Sequence, residues 1–162
     1  MKYSAIRKID ISNGPYIGVS LFLQGCNFHC KNCFNQVTWP LDGGLEFTPE
    51  IEETFMNLIE QEGIMRVSIL GGEPMIQAKE LSTLLEKIKK IYPDKKIWLW
   101  TGYYINELVE PDQKKVIGLC DYIVDGRYVD DLKNKDLRFK GSTNQTIWTK
   151  DSEGNLIKSK YS

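Results

Sequence analysis

The sequence predicts an α/β fold built on a parallel sheet, and three observations carry that prediction. Short β-branched and aromatic runs alternate with amphipathic stretches, which is the pattern of βαβ units. Each run stops at a glycine or a polar turn. No internal repeat, low-complexity tract or Pro/Gly-rich linker interrupts the alternation over the 162 residues. A chain of this length suits a single compact unit, and residues 1–162 are expected to form one domain.

Taken in order, residues 16–24 (YIGVSLFLQ) read as a first buried strand ending at Gly25. Thr48 is a suitable N-cap with Pro49 at the first helical position, and Ile51, Phe55, Leu58 and Ile59 follow on one helical face. Residues 66–70 (RVSIL) form the second strand, stopped by Gly71-Gly72. Leu81, Leu84, Leu85 and Ile88 repeat the helical spacing, and Pro93 closes that element. Residues 96–100 (KIWLW) give the third strand, residues 112–119 a short helix, and residues 121–124 (DYIV) the fourth strand. From Arg138 onward the pattern becomes an irregular, extended segment with a hairpin around Asp151 to Gly154. Right-handed crossovers place the C-terminal ends of all four strands on one rim. Ligands of α/β proteins bind at such a rim.

Composition excludes several classes of function. With 21 basic and 22 acidic residues the net charge is −1, so no strong positive field draws the chain to nucleic acid. No run approaches the ~20 apolar residues of a spanning helix. The N-terminus (MKYSAIRKIDIS) lacks the apolar core of a secretory signal. A cytoplasmic protein with neither nucleic acid nor membrane as partner is the expectation.

Three of the four cysteines, Cys26, Cys30 and Cys33, fall within eight residues in the loop after the first strand. Clustered thiols in a reducing compartment bind metal or do redox work. A structural zinc site needs four ligands, usually as paired C-x2–4-C, and no second pair exists. His29 is adjacent to Cys30, and neighbours in a tight loop seldom both reach one metal. Three thiolates suit a cubane cluster better, each holding one iron and leaving the fourth iron open. Cys120, alone in an apolar segment, reads as a small buried hydrophobe. Trp39, Trp98, Trp100 and Trp148 read as core or edge aromatics.

The C-x3-C-x2-C loop resembles the signature of the radical S-adenosylmethionine superfamily. Within that superfamily the chain is most similar to the small activases of anaerobic ribonucleoside-triphosphate reductase. Cys33-Phe34-Asn35 resembles the end of their cluster loop, and Gly71-Gly72-Glu73-Pro74 the motif after their second strand. Val124-Asp125-Gly126-Arg127-Tyr128 and Lys140-Gly141-Ser142-Thr143-Asn144-Gln145 resemble two late segments. Asn32 departs from the pattern, because many members carry an aromatic there; the resemblance then implies a backbone contact to the adenine in its place.

The resemblance implies a partial (βα) barrel of the radical S-adenosylmethionine type with an irregular C-terminal segment. It implies a [4Fe–4S] cluster on Cys26, Cys30 and Cys33, with S-adenosyl-L-methionine held by Asn32, Cys33, Phe34, Asn35, Gly71, Gly72, Glu73, Pro74, Asp125 and Arg127. Gly71 and Gly72 would let the backbone approach the ligand closely. Asp125 would meet the ribose or ammonium, and Arg127 the methionyl carboxylate. The chemistry implied is reductive cleavage of the cofactor, the 5′-deoxyadenosyl radical then generating a glycyl radical on the reductase. No side chain beyond the cluster and cofactor ligands would be catalytic. With no second cluster motif, the electron would come from a flavodoxin- or ferredoxin-type donor. Two other readings stay open: an activase of another glycyl-radical enzyme such as pyruvate formate-lyase, and a non-catalytic metal-binding module.

Overall fold

The structure, a computed structural model, describes all 162 residues. It is a mixed α/β fold around one open, eight-stranded sheet of order β3-β1-β2-β4-β5-β6-β7-β8. The strands are β1 (Lys2–Asp10), β2 (Gly18–Leu23), β3 (Leu45–Glu46), β4 (Arg66–Gly71), β5 (Lys96–Trp100), β6 (Tyr122–Asp125), β7 (Thr146–Lys150) and β8 (Leu156–Lys158). Helices α1 (Pro49–Glu60), α2 (Ala78–Ile91) and α3 (Pro111–Leu119) connect the central strands.

The four expected strands are β2, β4, β5 and β6, and they pair in parallel. Their C-terminal ends therefore share one rim. Four further strands extend the sheet antiparallel at both sides. The expected count of four is corrected to eight, and the C-terminal segment is regular from Thr146 to Lys158 apart from the turn. That turn is the expected hairpin: the Asp151 carboxylate accepts from the backbone N–H of Glu153 and Asn155.

Strand alternation sends Val19, Leu21, Leu23, Val67, Ile69, Ile97, Leu99 and Ile123 toward the helices, where Phe55, Ile59, Leu81, Leu85 and Val116 complete the core. Thr48 caps α1, its hydroxyl accepting from Ile51 N–H at 3.2 Å, a contact worth about 1 kcal/mol. Helix α3 is tied down at its C-terminus by Lys150, whose ammonium donates to the carbonyls of Ile117, Gly118 and Cys120 at 2.7 Å each.

The opposite face of the sheet is covered only at its two ends. At one end Arg66, almost fully buried, donates to the Asp10 carbonyl (2.7 Å), the Pro15 carbonyl (3.0 Å) and Ser68 Oγ (2.7 Å), clamping the 11–17 loop over β2 and β4. Its charge is met by the buried carboxylate of Asp10 at 3.4 Å. At the other end Trp98 stacks on Tyr122 (4.4 Å between centroids) under Phe139 and Tyr161. Between these plugs the face is hollow, and the hollow opens toward the rim.

Candidate functional site

The cysteine loop leaves the end of β2 and returns beside it. Its stem closes through Gly25 N–H to the Thr38 carbonyl (2.7 Å) and Cys26 N–H to the Trp39 carbonyl (3.1 Å). Inside, Cys33 N–H donates to the Cys30 carbonyl (3.1 Å) and Asn35 N–H to Cys33 Sγ (3.3 Å). His29 and Asn32 take left-handed conformations (φ 50° and 59°), which turn the chain sharply around Cys30. Three side-chain contacts then hold the loop from outside. The His29 ring stacks on Trp39 at 4.5 Å. Phe28 packs edge-on against Tyr103 (4.8 Å), with the Arg127 guanidinium 4.5 Å over its ring. The Asn32 amide donates to Asp130 at 2.8 Å.

The glycine pair after β4 has a packing role that the sequence alone does not disclose. Gly72 N–H donates to the Leu23 carbonyl (2.9 Å) and Glu73 N–H to the Gly25 carbonyl (2.7 Å), so this loop lies flat on the stem of the cysteine loop. A Cβ on Gly72 would lie 2.3 Å from the Gly25 oxygen, and one on Gly71, at φ 113°, would lie 2.5 Å from the Leu23 backbone. Only glycine fits either position.

Glu73 turns inward and is buried. Its carboxylate accepts from Met75 N–H (2.8 Å), Gly102 N–H (2.6 Å) and the Thr101 hydroxyl (2.8 Å). Burial pushes its pKa up to about 7, against those donors and the charge of Arg127, which favour ionisation. Glu73 thus fastens the β4 loop to the β5 loop, and the β5 loop carries Tyr103 onto Phe28.

All of this surrounds one cavity of about 430 Å³. Of the residues singled out from sequence, Cys26, Cys30, Cys33, Phe34, Asn35, Gly71, Gly72 and Glu73 line it; Asn32, Pro74, Asp125 and Arg127 do not. Asp125 is buried and accepts from the backbone N–H of Ile105 (2.9 Å) and Thr146 (3.3 Å). Arg127 pairs with Glu107 at 3.0 Å. Sequence reasoning passed over Arg7, Asn13, Phe28 and Phe139, which line the cavity; Lys140, quoted in a late segment without a site role, lines it too, as do Trp39 and Trp100, read as core or edge aromatics. Trp98 is the one of these that is fully buried core.

The donor set fits an iron–sulfur cluster. Three thiols from one short loop face one cavity, and no three His, Cys, Asp or Glu side chains converge on a single-ion site. A cubane takes one thiolate per iron. The indole N–H of Trp39, in the same wall, is buried and has no acceptor among the protein's atoms, a donor free for a cluster sulfide or a bound ligand. Burial pushes the thiols of Cys26 and Cys30 up, the charge of Cys33 adding to the rise at Cys30. Iron at the sulfurs reverses that preference by binding the thiolate form. Cys120 is buried far from this chemistry in kind: burial raises its pKa to about 12, which leaves it an inert thiol.

Comparison with known proteins also points to an iron–sulfur cluster. The family model of a 4Fe-4S single cluster domain matches residues 12–148. A Vibrio cholerae protein is 37% identical over 151 residues, covering 91% of this chain and 97% of its own length. An Escherichia coli K12 protein is 36% identical with the same coverage, and one from Enterobacteria phage T4 is 34% identical over 92% of this chain and 94% of its own. All three are named anaerobic ribonucleoside-triphosphate reductase-activating protein. The chain belongs to this family. The match to the 4Fe-4S family model takes in the cysteine loop, the glycine pair and the loops after β5 and β6. No helix is long and apolar enough to cross a membrane.

Proposed function

We propose that this protein activates anaerobic ribonucleoside-triphosphate reductase by radical S-adenosylmethionine chemistry, residues 1–162 acting as one cytoplasmic domain and the open sheet as a partial barrel. The observation that carries the reading is the cavity wall, where three thiols of one loop stand opposite a glycine pair pressed against the stem of that loop. The family supplies the rest: its members named above activate the reductase.

When bound, a [4Fe–4S] cluster and S-adenosylmethionine supply one-electron cleavage of a C–S bond and an adenosyl radical that takes hydrogen from a glycine of the reductase. The chain's own part is ligation, positioning and enclosure. Cys26, Cys30 and Cys33 would hold three irons. Phe34, Asn35, Gly71 and Gly72 form the adjoining wall against which the cofactor would lie. Glu73 keeps the β4 and β5 loops together, and its carboxylate is spent on backbone and hydroxyl donors. Asp125 and Arg127 act one layer back: Asp125 fixes the loop after β5, and Arg127 covers Phe28 and with it the cysteine loop. Trp100, Phe139 and Phe22 give the hollow beneath an apolar lining.

The test is reconstitution under anaerobic conditions with dithionite, S-adenosylmethionine and the reductase, followed by electron paramagnetic resonance. A glycyl radical on the reductase is expected. A radical formed on pyruvate formate-lyase and not on the reductase would move the assignment to the other activase class, and a colourless, iron-free protein would end the radical reading altogether.

A further inference from the structure

A second groove, of about 570 Å³, lies against the outer side of the cysteine loop. It is lined by Phe34, Lys133, Lys135, Asp136, Leu137 and Lys140, among others. Three lysines against one aspartate is a local excess of positive charge in a chain whose net charge is −1. The acids nearby offset only part of it. Asp130 accepts from the Asn32 amide and the Tyr128 hydroxyl, both at 2.8 Å, and pairs with Lys133 at 3.8 Å. Asp131 and Asp136 are exposed, and Arg138 and Lys31 add further cations on the same segments, leaving five cations against three acids. The groove has an apolar centre as well. Phe34, 78% exposed, follows Cys33 directly and leans on Tyr128 at 5.2 Å. Phe34, Lys140 and Gly141 line both the groove and the inner cavity, so the two hollows share a wall.

Lys133 and Lys135 are exposed and lie outside the cavity wall. We infer that the groove formed by Phe34, Lys133 and Lys135 is the landing surface for an acidic protein that carries single electrons. The inference rests on the activase reading above. The only cysteines outside the loop reduce to Cys120, so the chain has no second relay and must be charged from outside. The groove is the cationic surface that adjoins the thiol loop, and negative charge on a partner is what it selects. An apolar patch with a cationic rim on this scale suits a small, short-lived encounter, as electron carriers make. In the step itself the carrier is oxidised by one electron and the cluster held by Cys26, Cys30 and Cys33 is reduced by one; no bond or proton changes hands.

The experiment uses the double variant Lys133→Glu/Lys135→Glu, both residues being exposed and outside the cavity wall. A flavodoxin serves as the probe. Its binding to the cluster-loaded wild type, measured by calorimetry at low salt, should weaken by roughly tenfold or more in the variant. The difference should vanish near about 0.5 M salt. Cleavage of S-adenosylmethionine driven by dithionite, which needs no docking, should be equal in the two proteins, while cleavage driven by reduced flavodoxin should fall with the binding. Equal flavodoxin affinity in both proteins would overturn the inference. So would a variant that binds flavodoxin normally and loses affinity for the reductase, since the groove would then belong to that partner. Absence of dithionite-driven cleavage in the wild type would instead strike the activase reading and leave the binding comparison standing.

Discussion

Replacing Gly72 with alanine tests how the site is built. The new Cβ would sit 2.3 Å from the Gly25 carbonyl oxygen and 2.8 Å from its carbon, both backbone atoms that no rotamer change can move. Relief requires the β4 loop and the cysteine-loop stem to part. Overpacking of this kind costs about 1–3 kcal/mol. The separation also stretches the Gly72 N–H to Leu23 and Glu73 N–H to Gly25 bonds, each worth ~0.5–1.5 kcal/mol. A loss of about 3–4 kcal/mol is therefore expected. With a urea slope of ~2 kcal/mol per M for a chain of this size, the midpoint should drop by about 1.5–2 M. Because Gly25 precedes Cys26, iron bound per chain after anaerobic reconstitution should fall in parallel. Gly118→Ala is the internal control. Nothing lies within 4 Å of a Cβ at Gly118, which sits in α3, so that change should stabilise by ~0.5–1 kcal/mol. A Gly72→Ala protein with the wild-type midpoint and full iron would refute the packing account of the glycine pair.

Other outcomes follow from the buried charges and the thiols. Glu73 has a raised folded pKa, so its contribution is complete below the ordinary carboxylate range and is lost as pH rises through about 7, a swing of about 3 kcal/mol. Glu73→Gln should remove that slope while setting an amide N–H against Gly102 N–H; parallel stability curves for the two proteins between about pH 5 and 8 would contradict this. At Asp10 burial alone would raise the pKa, but hydrogen bonds from Ser20, Asn13 and Ser12 outweigh it and hold the carboxyl well below the usual range. Its contribution is thus present at neutral pH and lost only as pH falls into strong acid. Asp10→Ala should cost ~3–5 kcal/mol by leaving Arg66 buried without its counter-charge, and Arg66→Met in the same chain should recover much of it; a double variant no more stable than the single would argue against the pairing. Alanine at Cys26, Cys30 or Cys33 should abolish cluster binding, measured as iron and the visible absorption of the reconstituted protein, whereas Cys120→Ala should keep both.

The parallel strands were legible because β2, β4 and β5 are short runs rich in β-branched and aromatic residues, each bounded by a turn signal. Strand β1 gave no such signal. Only Tyr3 and Asp10 along it are buried, and Lys2, Arg7 and Lys8 break any alternation. Strand β7 hides for the same reason, Ile147 being its single buried residue. The cysteine loop announced itself by spacing, since ligand chemistry fixes residue type. The clamp of Phe28 between Tyr103 and Arg127 did not, because it joins loops about 75 and 99 residues apart that only the sheet brings together. Asp125 shows the converse case. Its place in the Val124-Asp125-Gly126-Arg127-Tyr128 segment suggested a ligand, yet the backbone N–H groups of Ile105 and Thr146 claim its oxygens once the loop after β5 and strand β7 are laid beside it. Trp98 and Trp100 share a face of β5, and only the reach of Phe139 and Tyr161 decides that the first is core and the second wall.

An unclosed sheet leaves two rows of backbone donors and acceptors exposed, and such rows are templates on which further strands can grow. Here the outermost strands are the two residues of β3 and the three of β8. Lys2 and Glu46 pair across the first edge at 3.6 Å, and Lys158 and Lys160 stand at the other. Strand β3 covers only Lys2 and Tyr3 of β1, and the rest of that edge carries Arg7 and Lys8, charges that discourage strand-by-strand polymerisation. Charged edges of this kind favour association through side-chain surfaces over strand addition, a contact that forms and dissolves without disturbing the sheet.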